Sequence, residues 1–529
     1  MSAGTATHTG LDTAEQELPS RGSMIGCSVS HQSVVAPGLR CFVIVSAAIA
    51  VLVAAFRAWA DWLSGAWVDV PAGVMIAMAV DLRHGLFYRP LLGLGGYGGT
   101  RYFPLYFVLH ALLLKLGFSL LLSAYLLSTV AIVLLILGTF CLLRELGAEW
   151  WLSACSAAAL LTSVSTHVAL VSPHADGLAC ALNIWALVVI ARPNPNRRKI
   201  LLAAILFTLA WSAKMTTIFG LAAVVVWLVN TGFRRKAWQL SGETCCGYLL
   251  IAGGLIVGSG GRFLEIFRAC ASGGTTYTYL AYAPWSLIAS ARRNDPTIFL
   301  FLAFGLLILA IDFCTPGANL LRNLPALFFI ATLAVTVTIF GSPGTNFNHF
   351  LDLQVAAVIL ITAWLTKRAS LQQKQLGVFA LALVTLIAVQ PMYHRVVATT
   401  QPVTPHRFLR VVAAIGNTNK PILSENPAIP VLAGQSAYLL DPWMLQMLRK
   451  RIPNFGQPLL AGLRAQAFGA VVLCRDPRTS HWLRWYEEES FGPGFVPALN
   501  RNYRLASVVD DQMIYLPIQF GAINAYPDK

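Results

Sequence analysis

Few side chains in this sequence can do chemistry, and they gather in a handful of places. The first is the stretch 57–106, which holds the acids Asp61, Asp69 and Asp81 and the bases Arg57, Arg83, Arg89 and Arg101 among aromatics and glycines. A carboxylate such as Asp69 can deprotonate a hydroxyl or hold a divalent cation. It can also simply cap a helix, because Asp before Val70-Pro71 is a good helix start. Asp81 and Arg83 fit the wet face of an amphipathic stretch at 70–85. Tyr88-Arg89-Pro90 and Arg101-Tyr102-Phe103-Pro104 place arginine forks, which suit phosphate oxygens, beside tyrosines. The competing reading is anchoring at a membrane interface, where Tyr and Arg are common.

Three more places follow. His174-Ala175-Asp176-Gly177 puts an acid at the opening of an apolar segment, where acids are rare and functional by default, although an ordinary helix cap is the alternative. Lys214 sits alone between two short apolar runs and could neutralise a phosphate, or snorkel to the surface. Asn346, Asn348, His349 and Asp352 form a polar cluster too rich for a plain hairpin turn. Gly93-Leu94-Gly95-Gly96-Tyr97-Gly98 matches GxGxxG in form, but nothing around it reads as a strand-turn-helix unit. It reads as a flexible turn.

The elements that must position these residues are membrane helices. The chain has 529 residues, 57% of them hydrophobic and 12% charged, against about 25% charged in soluble chains. Apolar runs fall at about 38–56, 120–142, 150–168, 174–191, 200–213, 215–230, 245–260, 297–313, 324–341, 351–366 and 376–390. They lack period-2 alternation, which excludes an outer-membrane barrel. The net charge of +15 is not a nucleic-acid signal. Its bases cluster in short loops (Arg192, Arg197, Arg198, Lys199; Arg234, Arg235, Lys236; Lys367, Arg368, Lys374), as they do where positive charge fixes topology. With those loops in the cytoplasm, about eleven spans alternate consistently. Asp69, His174, Lys214 and Asn348 then share the outer face. Residues 104–118 would break the alternation if they crossed, so they read as an interfacial helix or the start of a long tilted one. The ten cysteines show no paired spacing, and neither a disulfide framework nor a zinc site is expected.

Residues 1–36, rich in Ser, Thr, Gly and Ala, read as a disordered cytoplasmic tail. Residues 37–390 read as one transmembrane domain with 57–106 as its first outer loop. After about Gln390 polar residues return. β-like runs at 438–440, 470–474, 504–509 and 513–516, with a helix-like stretch at 442–451, give a small soluble α/β domain over 391–529 on the outer side. The fold class is therefore mainly α, a polytopic helical membrane protein carrying a small C-terminal α/β domain.

The order of these features resembles the GT-C superfamily of membrane glycosyltransferases, which includes the protein O-mannosyltransferases and lipid A aminoarabinose transferases. The bacterial branch with an RgtA/B/C/D-like domain is the nearest in character. The matching pieces are Asp69, Gly85-Leu86-Phe87-Tyr88, Pro104-Leu105-Tyr106, His174-Ala175-Asp176-Gly177, Ser212-Ala213-Lys214-Met215-Thr216 and the run from Asn346 to Asp352. The resemblance covers roughly 40–390. It implies a polyprenyl-phosphate sugar donor, a lipid, glycan or protein acceptor, and a multi-pass place in the cell inner (plasma) membrane. It maps the outer-loop acid, as base or metal ligand, to Asp69, and leaves a divalent cation as an option. The chain departs from the common Asp-Glu pair, having Asp69-Val70.

Physical requirements agree with that implication. A lipid-tailed donor explains the intramembrane scaffold and the missing nucleotide fold. Its phosphate needs a cation, for which Lys214, Arg89 and Arg101 are available, and an acceptor hydroxyl needs a base. Direct displacement with inversion at the sugar carbon follows as the expected reaction. Tyr88, Tyr102, His174, Asp176, Asn346, Asn348 and His349 complete the expected substrate site. A transporter or flippase is the alternative, and would need polar groups near the bilayer midplane. A non-catalytic protein of the same fold is a further one, favoured by the missing Glu.

Overall fold

The computed structural model describes residues 35–518 except 66–67, 193, 271–273, 318, 343 and 400–405. The expected tail at 1–36 therefore lies, but for its last two residues, outside the described residues.

Each of the eleven apolar runs is helical. They form α1 (Pro37–Ser64), α4 (Leu120–Glu145), the bent pair α5 (Trp150–Ala159) and α6 (Val164–Val171), α7 (Ala175–Ile190), α8 (Arg197–Ala213) and α9 (Phe219–Asn230). The series continues with α10 (Arg234–Gly258), α13 (Thr297–Cys314), α14 (Leu324–Ile339), α15 (Phe350–Lys367) and α16 (Leu371–Thr399). Among the described residues, six helices are long and apolar enough to cross a membrane, or seven with the α5–α6 pair, whose halves meet at 79°. The chain is a multi-pass membrane protein. Several of the other helices are too short to cross a bilayer of about 30 Å upright at 1.5 Å per residue. Of these, α7 is buried along most of its length.

Polar contacts gather alternate helix ends at one pole. Arg192 Nη2 donates to Glu145 Oε1 at 2.9 Å, joining the ends of α7 and α4. Lys374 and Arg40 meet Glu149 at 3.1 and 3.6 Å, joining the starts of α16, α1 and α5. Arg322 Nε donates to Asn230 O at 3.0 Å, and Arg368 Nη1 pairs with Asp312 Oδ1 at 2.7 Å. The basic loops thus share one end of the bundle.

The opposite end carries a second layer. Residues 104–118 do not cross: they form the separate helix α3 (Leu105–Lys115), 11 residues long and packed on α2 (Val70–Arg83). The stretch at 70–85 is not amphipathic as expected. Residues from Ala72 through Ala79 and Asp81 are buried, and exposure is confined to Arg83, His84 and Gly85 at its end. Between α10 and α13 lie two further helices, α11 (Arg262–Cys270) and α12 (Tyr277–Asn294).

α2 is buried because the C-terminal part sits on it. One apolar core runs without a break from Val74, Met75 and Phe107 to Phe408, Ile429, Met444 and Val471. The C-terminal sheet has the order β3-β4-β6-β5: β3 (Ile422–Ser424), β4 (Ala470–Leu473), β5 (Tyr503–Val509) and β6 (Gln512–Pro517). β3 and β4 are parallel and the other pairs antiparallel. Three of the four expected strand runs are strands. The run 438–440 is not a sheet member, and Leu439 instead bridges Tyr97 in the first outer segment.

That bridge explains the glycine-rich stretch, which is an ordered hairpin rather than a flexible turn. β1 (Leu92–Gly93) pairs with β2 (Gly96–Tyr97). Tyr97 N donates to Tyr438 O at 2.8 Å, and Leu440 N returns a bond to Tyr97 O at 3.0 Å. The Tyr97 hydroxyl donates to Phe455 O at 2.9 Å. Gly96, at φ +104°, lies so close to the Tyr438 carbonyl that a Cβ would not fit.

Candidate active site

At the end away from the basic loops, four helix ends meet around a cavity of about 300 Å³. Most of the polar side chains come from a helix start, a helix break or the turn before a helix, where the backbone leaves its own polar groups unpaired. Asp69 precedes α2, His174 and Asp176 open α7, and Lys214 ends α8. Asn346, Asn348 and His349 lie in the single 3₁₀ turn before α15 or at its edge, and Asp352 in the first turn of α15. Tyr88, Arg101 and Tyr102 reach the cavity from the segment between α2 and α3.

The charged side of the site is a chain of alternating signs. Asp69 Oδ1 accepts from Ala72 N at 3.0 Å, so the helix cap is real, and the same oxygen meets His174 Nε2 at 2.9 Å. His174 Nδ1 faces Asp176 Oδ2 at 3.4 Å. Asp176 Oδ1 takes Lys214 Nζ at 2.6 Å, and Asn348 Nδ2 donates to Asp176 Oδ2 at 3.0 Å. Lys214 Nζ also reaches Asp352 Oδ2 at 3.3 Å. Asp69 is the accessible member, with 42% of its side chain exposed against 9% for Asp176.

The chain's geometry is set from behind. Tyr106 donates to Ala124 O at 3.1 Å and meets Ser128 Oγ at 2.8 Å. Ser128 in turn donates to Ser172 O at 2.8 Å, tying α3 and α4 to the segment that presents His174. Lys214 faces inward because the helix breaks at it: its backbone is extended, and Thr217 Oγ1 binds its carbonyl at 2.8 Å.

The other side of the cavity is apolar and aromatic. Phe103, Phe263, Phe267 and Met75 line it. Phe103 stands edge-on to Phe263 and to Trp211, at 5.8 and 5.0 Å between ring centres. Tyr88 takes φ +58°, a strained setting for a bulky residue, and its hydroxyl donates to Tyr102 O at 3.0 Å. Burial raises both phenols well above their ordinary pKa, and the Asp441 charge adds to the rise at Tyr102, so both are neutral donors.

The cations expected to meet a phosphate do not stand alike. Arg89 is corrected: it does not line the cavity. It is buried and forked onto Asp81, Nε to Oδ2 and Nη2 to Oδ1 both at 2.6 Å, with the remaining Nη1 on Ala437 O. It fastens the first outer segment to the C-terminal part. Asp81 is thus no wet-face residue either. Lys214, expected as a lone cation, is held between two carboxylates, with 11% of its side chain exposed. Arg101 lines the cavity, half-buried, and makes no hydrogen bond or close ion pair among the described residues. Burial holds the carboxyl of Asp441 above its usual range, with Arg101 acting in the opposite direction.

Ten of the eleven expected site residues therefore share one cavity, Arg89 being the exception. Arg57 and Asp61, from the same rich stretch, lie inside the bundle, where Asp61 Oδ2 meets His167 Nε2 at 2.6 Å and pins α1 to α6. The sequence reading missed the aromatic wall from α11, since amphipathic spacing there says nothing about what the face covers. Sequence places Asp352 in the polar cluster with Asn346, Asn348 and His349 but does not show its grip on Lys214.

Among the described residues, no group of three or more His, Cys, Asp or Glu is arranged to hold a metal ion.

No protein-family model matches the chain, and no curated protein does. Solved structures do. An oligosaccharyltransferase of Archaeoglobus fulgidus, solved tethered by a disulfide to an acceptor peptide containing the NVT sequon, superposes with a TM-score of 0.54. The match spans 90% of this chain and 74% of that one at 11% identity. ArnT from Cupriavidus metallidurans, solved bound to undecaprenyl phosphate, gives a TM-score of 0.52 over 92% of this chain and 99% of that one at 12% identity. The fold of this chain is the one these solved structures share, the GT-C fold.

Proposed function

We propose that the chain is an integral membrane glycosyltransferase that moves a sugar from a polyprenyl-phosphate donor to an acceptor hydroxyl on the extracytoplasmic face, with inversion. The observation that carries this reading is the two-sided cavity. An accessible carboxylate, Asp69, and an uncommitted guanidinium, Arg101, face the same space as an apolar aromatic wall. A lipid-tailed phosphate with a polar sugar has this division of character. The position of the basic loops at the far end supports the outward orientation, since such loops stay in the cytoplasm and a bacterial inner membrane is the expected setting. The undecaprenyl phosphate bound by the ArnT neighbour is a ligand of the proposed kind.

In the proposed step, Asp69 accepts the proton of the acceptor hydroxyl as its oxygen forms a bond to the anomeric carbon. The bond from that carbon to the phosphate oxygen breaks, and the electron pair leaves with the polyprenyl phosphate. Arg101 steadies the charge growing on the phosphate, where a fork of donors suits two oxygens. Tyr88 and Tyr102, kept neutral, serve as donors and walls. No covalent intermediate is needed, and nothing in the step requires a soluble nucleotide. The gathering of the polar groups at one end of the bundle favours this over transport, which needs them midway.

Purified protein in bilayers, given radiolabelled polyprenyl-phosphate sugars and a membrane extract, tests the reading. Label moving from the donor lipid to another molecule is the expected result. Donor that is bound or flipped across the bilayer, with no label transferred, would set it aside.

A further inference from the structure

We infer that His174 and Lys214 are the built-in counter-ions of this site, filling the place that a divalent cation would take between Asp69 and Asp176. A hard cation such as Mg²⁺ or Mn²⁺ needs several oxygens with free lone pairs at about 2.0–2.6 Å. The two carboxylates do not offer them. Asp69 Oδ1 is taken by Ala72 N at 3.0 Å and His174 Nε2 at 2.9 Å. Asp176 Oδ1 is taken by Lys214 Nζ at 2.6 Å, and Asp176 Oδ2 by Asn348 Nδ2 at 3.0 Å with His174 Nδ1 at 3.4 Å. Only Asp69 Oδ2 is left uncommitted among the described contacts.

The imidazole lies between the carboxylates, so an ion reaching both would have to displace it. Both ring nitrogens face carboxylate oxygen. A ring with one proton can donate to one of them, whereas an imidazolium donates to both. Lys214 cannot swing away either, because its side chain is 11% exposed and Asp352 holds it from the other side at 3.3 Å. The residue after Asp69 is Val70, which supplies no second acid. The site thus has its positive charge in covalent form. His174 acts as a positioning residue, fixing Asp69 Oδ1 so that Oδ2 points at the acceptor, and Arg101 remains for the phosphate.

The activity side of this inference rests on the transferase reading, but its first test does not. Free Mn²⁺ gives a six-line electron paramagnetic resonance signal that is lost on binding. Titrating purified parent protein with Mn²⁺ to about 1 mM, the weak end of protein sites, should leave that signal undiminished. One Mn²⁺ bound per chain, and lost in Asp69→Asn, would overturn the inference whether or not the protein transfers sugar. In His174→Asp a carboxylate replaces the imidazolium, and a Mn²⁺ site should appear. A folded His174→Asp protein that still binds none would show that the imidazolium is not what excludes the ion, and would also overturn it. Where transfer is observed, EDTA should change its rate by less than about twofold, well short of the 10²-fold or greater loss of a catalytic group. A rate abolished by EDTA and restored by Mn²⁺ would contradict the inference and leave the transferase reading standing. Absence of transfer would count against that reading alone.

Discussion

Two cations in the same cavity should fail in different ways. Lys214→Met leaves Asp176 and Asp352 facing each other in a buried place without their shared ammonium. Removing one partner of a buried pair costs about 3–5 kcal/mol. The variant is expected to melt well below the parent in detergent, rather than to fold normally and bind donor poorly. Arg101→Gln removes a group that makes no hydrogen bond or close ion pair among the described residues. It should melt with the parent while KM for the donor rises by about 10-fold or more, as for a lost bond to a charged group. Melting curves and donor titrations of the two variants read these outcomes side by side. Residue types and loop positions alone bring the right side chains to the right end. They do not reveal which charges are already spent. Asp352 lies 138 residues from Lys214, and the Asp81 that occupies Arg89 is eight away in a stretch that reads as a wet helix face. Pairing is a tertiary fact, and a lone lysine and a paired one look alike in sequence.

The hairpin 92–97 gives the element-scale test. Gly96→Ala puts a methyl group into the Tyr438 carbonyl and forces a side chain to φ +104°. The neighbouring Gly95→Ala meets open space. Limited proteolysis should cut the C-terminal part faster in Gly96→Ala than in the parent, and at the parent's rate in Gly95→Ala. Equal rates in all three proteins would show that the hairpin does not hold the two parts together. The apolar runs announced their helices through length and composition, and β4, β5 and β6 through their β-branched runs. The hairpin escaped because two-residue strands carry no periodicity, and its partner is a single residue, Leu439, far along the chain. α2 escaped for a related reason. A helix buried on all sides looks amphipathic when one polar residue, Asp81, finds its counter-charge in the core.

At the scale of the molecule, the membrane bundle and the C-terminal part share one core, and His406 sits where they join. Its Nε2 meets the Tyr125 hydroxyl at 3.0 Å. Burial first, then the charges of Arg407 and Arg410, push its pKa down from 6.5 to about 4. The unfolded chain takes up this proton near pH 6.5 and the folded chain only near pH 4, so the contribution to stability is full above about 6.5 and is lost as pH falls toward 4. The parent should therefore lose melting temperature between pH 7.5 and 5 more steeply than His406→Gln, which has no proton to take up. Parallel curves would remove His406 from the account. Alternation of the basic loops is the part of the whole-molecule plan that sequence carries best, because it is set by charge and needs no tertiary contact. The joint core over α2 could not be read the same way, since the apolar residues that form it come from both sides of position 390.

The account turns on Asp69 acting as a base, and Asp69→Asn separates that role from its helix cap, because Asn caps about as well as Asp. The decisive measurement is the rate of sugar transfer from labelled polyprenyl-phosphate donor, per folded protein, for parent and variant. The account predicts that Asp69→Asn folds and inserts like the parent while transfer falls by about 10²-fold or more. Transfer at a near-parental rate would contradict it and leave Asp69 as a cap alone.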